Sequence, residues 1–202
     1  MYLLGKELFD VRTGVLASFM LATISGVMQR TSAGFFEKEP LGTMFMMMSL
    51  WLFVRAWQNR SYVAGIGSGL AMGFFSISWG GSQMLWLMYP AVTGIMMMLN
   101  RETESLMAAL TPTTVIGGMV ASALNPSRFG LSNTLFLLNM AMVAFLWSRY
   151  LIEEFELIDS RYLPYYVPTA SVVGGIFVLL SPLYSNEIAQ RVVSVINLAV
   201  QD

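Results

Sequence analysis

The chain has 202 residues, of which 56% are hydrophobic and only 11% are charged, and its formal net charge is -1. Soluble domains carry roughly a quarter charged residues, so this composition predicts a chain solvated by lipid, and the near-neutral charge gives no electrostatic basis for binding nucleic acid. Neither Cys nor His occurs, which excludes disulfides, thiolate or imidazole metal sites, and catalytic pairs that use His or Cys. Any chemistry therefore rests on carboxylates, Arg, Lys, Tyr, backbone groups or a carboxylate-bound metal.

Apolar runs of helical length follow one another along the chain. A helix needs roughly 20 apolar residues to cross the hydrocarbon core of a bilayer, and the alternating pattern of barrel strands is not visible. The sequence therefore predicts an all-α fold, a polytopic transmembrane bundle of about seven helices. In chain order these are Thr13–Val27, Leu41–Trp57, Tyr62–Ser78, Ser82–Leu99, Leu106–Leu124, Leu131–Trp147 and Pro164–Leu183. Residues 1–4 resemble the tail of a longer apolar helix.

The connections between these helices fall into two alternating sets. The first set consists of Lys6–Arg12, Arg55–Ser61, Asn100–Ser105 and Ser148–Leu163. The second set consists of Met28–Pro40, Trp79–Gly81, Asn125–Gly130 and the tail from Tyr184. Because the first set contains more Lys and Arg, and such residues collect on the cytoplasmic side, it is predicted to be cytoplasmic. The second set is then predicted to lie on the outer face.

The stretch RTSAGFFEKEPLG, residues 30–42, is the most polar part of the first hundred residues. Glu37 and Glu39 precede Pro40, and Pro is favoured in the first turn of a helix, so both carboxylates are expected at a helix N-terminus. There they can complement the helix dipole or ligate a hard cation such as Mg²⁺ or Mn²⁺. Arg30 can bind a phosphate ester through two hydrogen bonds or anchor the chain at the membrane interface.

Other polar features favour structural roles. SISWGGSQ, residues 76–83, predicts a helix break with a tight re-entry, and its Trp79 suits the membrane interface. Gly65, Gly69 and Gly73 share one helical face and predict close helix packing. The acids of residues 153–159 predict a solvated cytoplasmic face. The near absence of charge inside the predicted helices disfavours an ion-coupled transporter.

Together these motifs resemble the catalytic subunit of oligosaccharyltransferase, most of all its archaeal form. The resemblance is carried by YLLGKELFD, an apolar helix, RTSAGFFEKE, an apolar helix ending in Arg, and SWGGSQ with a further apolar helix. It is specific over about the first hundred residues and continues more weakly through NPSRFG. It implies a GT-C-type membrane domain in the cell membrane, with the active site on the outer face. Family members transfer a glycan from a lipid pyrophosphate or phosphate to the Asn of Asn-x-Ser/Thr and use a divalent metal.

The same resemblance assigns roles to three residues. It implies that Glu37 ligates the metal, Mn²⁺ or Mg²⁺, that Glu39 lies near the lipid-linked sugar, and that Arg30 approaches the lipid phosphate. Glu37 stands where the family usually has Asp, and the extra methylene changes the reach of the ligand. No catalytic residue is assigned within the chain.

The resemblance also predicts that residues 1–202 are part of a longer multi-pass membrane domain. A further acidic outer loop is expected before Met1, and the soluble domain with Trp-Trp-Asp-Tyr-Gly, which reads the acceptor, is expected after Asp202, so the chain alone is expected to be inactive. The implied partners are a dolichol-type lipid-linked oligosaccharide, an acceptor protein with Asn-x-Ser/Thr and membrane lipid, but no nucleic acid. The open alternatives are a transporter or channel subunit, a noncatalytic scaffold, and another polyprenyl-phosphate-sugar transferase.

Overall fold

The computed structural model describes residues 1–24, 39–99, 101–126, 129 and 133–155. Every regular element in these ranges is an α-helix, which confirms the predicted all-α class. The helices are α1 (Tyr2–Leu8), α2 (Val11–Thr23), α3 (Glu39–Asn59), α4 (Tyr62–Ser78), α5 (Ser82–Met98), α6 (Thr103–Leu124) and α7 (Thr134–Glu154).

The helix bounds follow the predicted apolar runs to within four residues, with two larger differences. α1 is a separate short helix, packed against α2, where only the tail of a longer one was expected. α7 continues to Glu154, beyond the predicted end at Trp147, because Arg149 lies inside the helix with its charge paired, as described below. The predicted helix Pro164–Leu183 lies outside the described residues.

Two of the described helices are long and apolar enough to cross a membrane, namely α6 and α7. α2 and α4 are apolar but shorter. In the apolar stretch of α6, 61% of the residues are buried inside the bundle, whereas in that of α7 only 22% are buried, and Leu137, Leu138 and Leu151 of α7 are exposed. Lipid tails can solvate an apolar surface of this kind, because it has no polar side chains that would need hydrogen bonds with water.

α4 packs against both α3 and α6 at the centre of the bundle. A Cβ atom built on Gly69 would lie 2.8 Å from the carbonyl oxygen of Pro112, and one built on Gly73 would lie 2.5 Å from the Cβ of Val120. Both glycines therefore allow the α4 and α6 backbones to approach closely, as predicted from their spacing.

A small polar network joins α3, α4 and α5 inside this apolar core. The Ser49 and Tyr89 hydroxyls are 2.6 Å apart, and the Ser68 hydroxyl donates to the Ser49 carbonyl oxygen over 3.0 Å. Phe53 stacks on the Tyr89 ring with centroids 4.3 Å apart. Since unpaired polar groups are costly in an apolar interior, these bonds fix how the three helices align.

One end of the bundle, called the Arg60 end, gathers the described parts of the four connections predicted to share a side. Arg60 pairs with Glu102 and Glu104, which joins the start of α4 to the start of α6. The Gln58 side-chain amide donates to the carbonyl oxygen of Glu7 over 3.2 Å, which joins α3 to α1. The grouping of the connections therefore agrees with the prediction, whereas its orientation across the membrane stays a prediction.

Arg149 of α7 completes the Arg60 end and corrects the sequence prediction. It was placed in a solvated connection, but its side chain is only 3% exposed. Its Nε donates to Glu153 Oε1 over 2.8 Å, and its Nη1 donates to the carbonyl oxygen of Met97 over 2.9 Å. A cation that bonds a carbonyl at the C-terminus of α5 also offsets the dipole of that helix, so the charge is compatible with burial.

Candidate functional site

The opposite end of the bundle, called the Glu39 end, comprises the first turn of α3, the turn at residues 79–81, and residues 125–129 as far as they are described. α3 begins at Glu39, and Pro40 follows in its first turn. Pro has a fixed φ suited to the helix and lacks an N–H that would be unpaired there in any case. The predicted start of this helix is thus confirmed to within two residues.

The SWGGSQ segment forms the predicted helix break. α4 ends at Ser78, and Trp79 adopts an extended backbone while its N–H donates to the Phe75 carbonyl oxygen over 3.0 Å. The Ser82 N–H then donates to the Trp79 carbonyl oxygen over 3.3 Å, and α5 begins at Ser82. The chain therefore reverses direction within three residues.

The Trp79 side chain lies against two glycines from different parts of the chain. A Cβ atom built on Gly42 would lie 2.9 Å from the Trp79 Cβ, and one built on Gly81 would lie 2.9 Å from the Trp79 Cε3. Real Cβ atoms essentially never come this close to another heavy atom. Contact with Trp79 therefore sets the position of the first turn of α3, and with it the backbone of Glu39.

Gly42 is a positioning residue that the sequence analysis missed. It lies within the quoted polar stretch, two residues after Pro40, and a glycine inside the first turn of a helix is unfavourable unless packing requires it. An unfavourable glycine at this position was therefore the signal in the sequence that pointed to close packing at Gly42. Its partner Trp79 is distant in sequence, so only the folded chain shows the contact.

An aromatic cluster positions Phe129, which belongs to the third segment of the Glu39 end. The Phe129 ring lies 4.8 Å from the Trp86 ring and 6.4 Å from the Phe136 ring, measured between centroids. Trp86 Nε1 donates to the Ser76 hydroxyl over 2.9 Å. The Asn139 side-chain amide donates to the Trp86 carbonyl oxygen over 2.6 Å. These contacts fix α5 and α7 beside the end of α4.

The three sequence-predicted site residues differ in what the structure shows of them. Glu39 is the first residue of α3, and only its backbone is described. Arg30 and Glu37 lie outside the described residues, so the structure tests neither role. Among the described residues, no group of three or more acidic side chains could hold a metal ion.

Charge is distributed unequally between the two ends. In the described part of the chain, Glu39 is the one charged residue of the Glu39 end, whereas the other charged residues lie at or near the Arg60 end. At that end, hydrogen bonding and attraction by Arg60 hold the pKa of Glu102 below its ordinary value. At the start of α2, hydrogen bonds from Thr13 likewise lower the pKa of Asp10. The polar groups of the Arg60 end are thus largely occupied with one another.

The described residues form a helix bundle of the kind found in membrane proteins. Their charged residues lie near the two ends of the bundle. The family model described as "Oligosaccharyl transferase STT3, N-terminal" matches residues 1–198. The chain belongs to this family and is therefore a multi-pass membrane protein. The match covers nearly the whole chain and confirms the resemblance to the family, which the motifs carried mainly in the first hundred residues. The greater likeness to its archaeal form stays a prediction.

Comparison with curated proteins gives relatives with closely similar names. The dolichyl-diphosphooligosaccharide–protein glycosyltransferase subunit STT3B of Arabidopsis thaliana is 23% identical over 185 residues, which is 88% of this chain and 25% of that protein. The STT3B subunit of Oryza sativa subsp. japonica is 24% identical over 169 residues, or 79% of this chain and 23% of that protein. The stt3 subunit of Schizosaccharomyces pombe is 27% identical over 120 residues, or 59% of this chain and 16% of that protein. The chain thus spans at most about a quarter of the length of these relatives.

Proposed function

We propose that the chain is part of the membrane domain of an oligosaccharyltransferase. This enzyme would transfer a glycan from a dolichol-type lipid pyrophosphate or phosphate to the Asn of Asn-x-Ser/Thr in an acceptor protein. The observation that carries the proposal is the family match over residues 1–198. It is supported by the printed names of the relatives, which are glycosyltransferase subunits acting with a dolichyl-diphosphooligosaccharide. Because the chain spans a quarter of those relatives, we expect no transfer by residues 1–202 alone.

The Glu39 end is the proposed site of this reaction, on the outer face of the cell membrane. The Trp79 contact with Gly42 supports this placement, because it fixes the α3 terminus that begins at Glu39. A rigidly held helix terminus can position a side chain against a substrate more accurately than a free loop can. Glu39 is proposed to bind the lipid-linked sugar there.

A hard divalent cation, Mn²⁺ or Mg²⁺, fits the residues proposed to hold it. Glu37 and Glu39 offer carboxylate oxygens, which these cations prefer, and the chain has no His or Cys that would favour a softer metal. Glu37 is the proposed ligand, and further ligands would come from outside the described residues. When bound, the cation supplies Lewis-acid stabilisation of negative charge on the lipid phosphate.

Arg30 is proposed to bind the phosphate that leaves with the lipid. The guanidinium group presents two parallel N–H donors to phosphate oxygens, and it stabilises the charge that develops as the bond between the sugar and the phosphate oxygen breaks. The new bond forms between the same sugar carbon and the acceptor amide nitrogen. No residue of this chain is assigned to activating that nitrogen.

The proposal is tested by changing Glu37→Gln in the full-length parent enzyme. We expect glycan transfer to an Asn-x-Ser/Thr peptide to fall on the order of 100-fold at low Mn²⁺ and to recover in part at high Mn²⁺, because a lost ligand weakens metal binding first. Glu7→Gln is the matched control, since Glu7 lies at the Arg60 end, where it accepts a hydrogen bond from Trp51. Wild-type turnover by Glu37→Gln across the whole metal titration would reject the assignment.

A further inference from the structure

The carbonyl oxygen of Trp86 in α5 lacks the partner that a regular helix would give it. In an α-helix this oxygen accepts a hydrogen bond from the N–H four residues later, and that residue is Pro90, which lies inside α5. Proline has no N–H, so it removes one bond of the helix and bends or breaks the helix there. Trp86 is only 1% exposed, so solvent does not replace the missing donor.

The Asn139 side chain of α7 supplies this donor. Its Nδ2 donates to the Trp86 carbonyl oxygen over 2.6 Å and to the Leu135 carbonyl oxygen of its own helix over 2.9 Å. Both partners are carbonyl oxygens, which only the NH2 group of the amide can serve, so these contacts fix the orientation of the amide. A proline is tolerated in an apolar bundle when a neighbouring helix satisfies the carbonyl that it frees.

The amide of Asn139 also carries a cost. The residue is fully buried, and its Oδ1 has no hydrogen-bond partner among the described residues. An unpaired buried oxygen is unfavourable, and an apolar side chain of similar size would avoid it. The use of the amide at this position therefore lies in its donors, and the donor to Trp86 is the one that joins α7 to α5.

Trp86 connects this hydrogen bond to the Glu39 end. Its Nε1 donates to the Ser76 hydroxyl over 2.9 Å, and Ser76 lies in the last turn of α4, three residues before Trp79. Trp79 in turn lies against Gly42 in the first turn of α3. The Trp86 ring also lies 4.8 Å from the Phe129 ring, measured between centroids. The position of Trp86 is therefore transmitted to all three segments of the Glu39 end.

We propose that Asn139 is a positioning residue for glycan transfer. It replaces the backbone donor that Pro90 lacks, holds the segment of α5 around Trp86, and thereby fixes the Trp79 turn beside the start of α3. Asn139 acts through the backbone of α5 and does not touch the substrate. The inference rests on the proposed function, because the Glu39 end is the proposed site of the lipid-linked donor.

The test measures kcat and KM for the lipid-linked oligosaccharide in the full-length parent, at saturating acceptor peptide. Asn139→Leu keeps nearly the same side-chain size but removes both donors. We expect the donor KM to rise roughly fivefold to tenfold, as for one lost hydrogen bond. A merely structural role would reduce the amount of folded enzyme, which lowers the apparent kcat and leaves the donor KM unchanged. Asn139→Ala is measured in parallel, so that a poor fit of leucine does not decide the result.

Pro90→Ala provides a rescue that is specific to the proposed role. It restores an N–H that can donate to the Trp86 carbonyl oxygen, so the Asn139 donor is no longer required. In the Pro90→Ala background, we expect Asn139→Leu to change the donor KM by less than about twofold. Each background has its own reference, so the comparison holds whatever Pro90→Ala does to the donor KM by itself.

Thr113→Val is the matched control for the loss of a buried hydrogen bond between helices. The Thr113 hydroxyl donates to the Gly65 carbonyl oxygen over 3.2 Å, beside Pro112, the proline inside α6. This bond joins α6 to the first turn of α4, towards the Arg60 end. We therefore expect Thr113→Val to lower the melting temperature, as Asn139→Leu does, but to leave the donor KM unchanged.

The outcomes separate this inference from the proposed function. A higher donor KM for the Asn139 variants that Pro90→Ala suppresses supports the positioning role. An unchanged donor KM in an active parent overturns it, and so does an increase of equal size in both backgrounds or an equal increase in Thr113→Val. If the wild-type parent transfers no glycan, the proposed function itself is rejected, and the role of Asn139 in transfer is rejected with it.

Discussion

The two ends of the bundle are held together by different interactions. At the Glu39 end, the contacts are apolar and close, with Trp79 against two glycines and Phe129 against Trp86. At the Arg60 end, the contacts are ionic, with Arg60 and Arg149 each paired to carboxylates. Close apolar packing fixes the backbone at the start of α3 without using any polar group. The Arg60 end is therefore stabilised mainly by ion pairs, whereas the end proposed to bind the substrate is stabilised by close apolar packing.

The largest effect on glycan transfer is expected from adding one methyl group at the Glu39 end. Gly42→Ala in the full-length parent places a Cβ against Trp79 at a distance that requires the first turn of α3 to move. Because small displacements of a positioning element can cost about 100-fold in rate, we expect glycan transfer to fall on the order of tenfold to 100-fold. The measurement is the rate of peptide glycosylation at saturating donor.

Gly94→Ala is the matched control for that change. The Cβ it adds would meet only the flexible end of the Met142 side chain, at 3.3 Å, and Gly94 lies within α5. We expect near wild-type transfer from this variant. If Gly42→Ala and Gly94→Ala show the same rate, the Trp79 contact does not position the site.

An intermediate effect, on stability, is expected from removing the buried cation Arg149 at the Arg60 end. Arg149→Met keeps the length of the side chain but removes the hydrogen bonds to Glu153 and to the Met97 carbonyl oxygen. Bonds to charged groups contribute about 1.5–3 kcal/mol each, so we expect the loss of two such bonds to lower the stability by about 3–6 kcal/mol, seen as a lower melting temperature. Transfer by the folded fraction should stay unchanged.

Arg55→Met provides the comparison for Arg149→Met. Arg55 is exposed at the same end, and its guanidinium lies 5.7 Å from the Trp51 ring centroid. An exposed cation–π contact contributes about 0.5–1 kcal/mol, so we expect a smaller decrease in melting temperature. A decrease as large as that of Arg149→Met would show that burial of Arg149 is not what makes its bonds strong.

The smallest expected effect is the pH dependence of the Arg60 ion pairs. Arg60 lowers the folded-state pKa of Glu102 below its ordinary value of 4.5. A lowered pKa contributes stability above the unfolded-state value, and this contribution is lost as the pH falls through the folded-state value. We expect the melting temperature to decrease slightly more below about pH 4.5 in the wild type than in Glu102→Gln, because both partners are largely exposed. Identical pH profiles would contradict this coupling.

The sequence predicted what depends on local patterns. α4 was predicted with its observed bounds because Trp79–Gly81 ends its apolar run, and the structure adds that the Ser61 side chain caps its start. Pro40 likewise indicated the start of α3. The family, and through it the proposed roles of Arg30, Glu37 and Glu39, followed from the order of a few polar motifs.

The features that the sequence did not predict depend on contacts between distant residues. α1 has only seven residues and is stable beside α2, where a Cβ built on Gly5 would lie 2.8 Å from the Cα of Gly14. α7 continues past its predicted end because Arg149 finds a carbonyl of α5. The Gly42–Trp79 contact joins residues of two helices, and no local pattern indicates such a pairing.

We propose that the Glu39 end, and not the Arg60 end, carries the chemistry of glycan transfer. The most direct test compares Glu39→Gln with Glu7→Gln in the full-length parent, since the two variants make the same chemical change at opposite ends. We expect Glu39→Gln to lower the rate of transfer from a lipid-linked oligosaccharide on the order of 100-fold, while Glu7→Gln stays within about twofold of wild type. Equal rates for the two variants would contradict a role of Glu39 in glycan transfer.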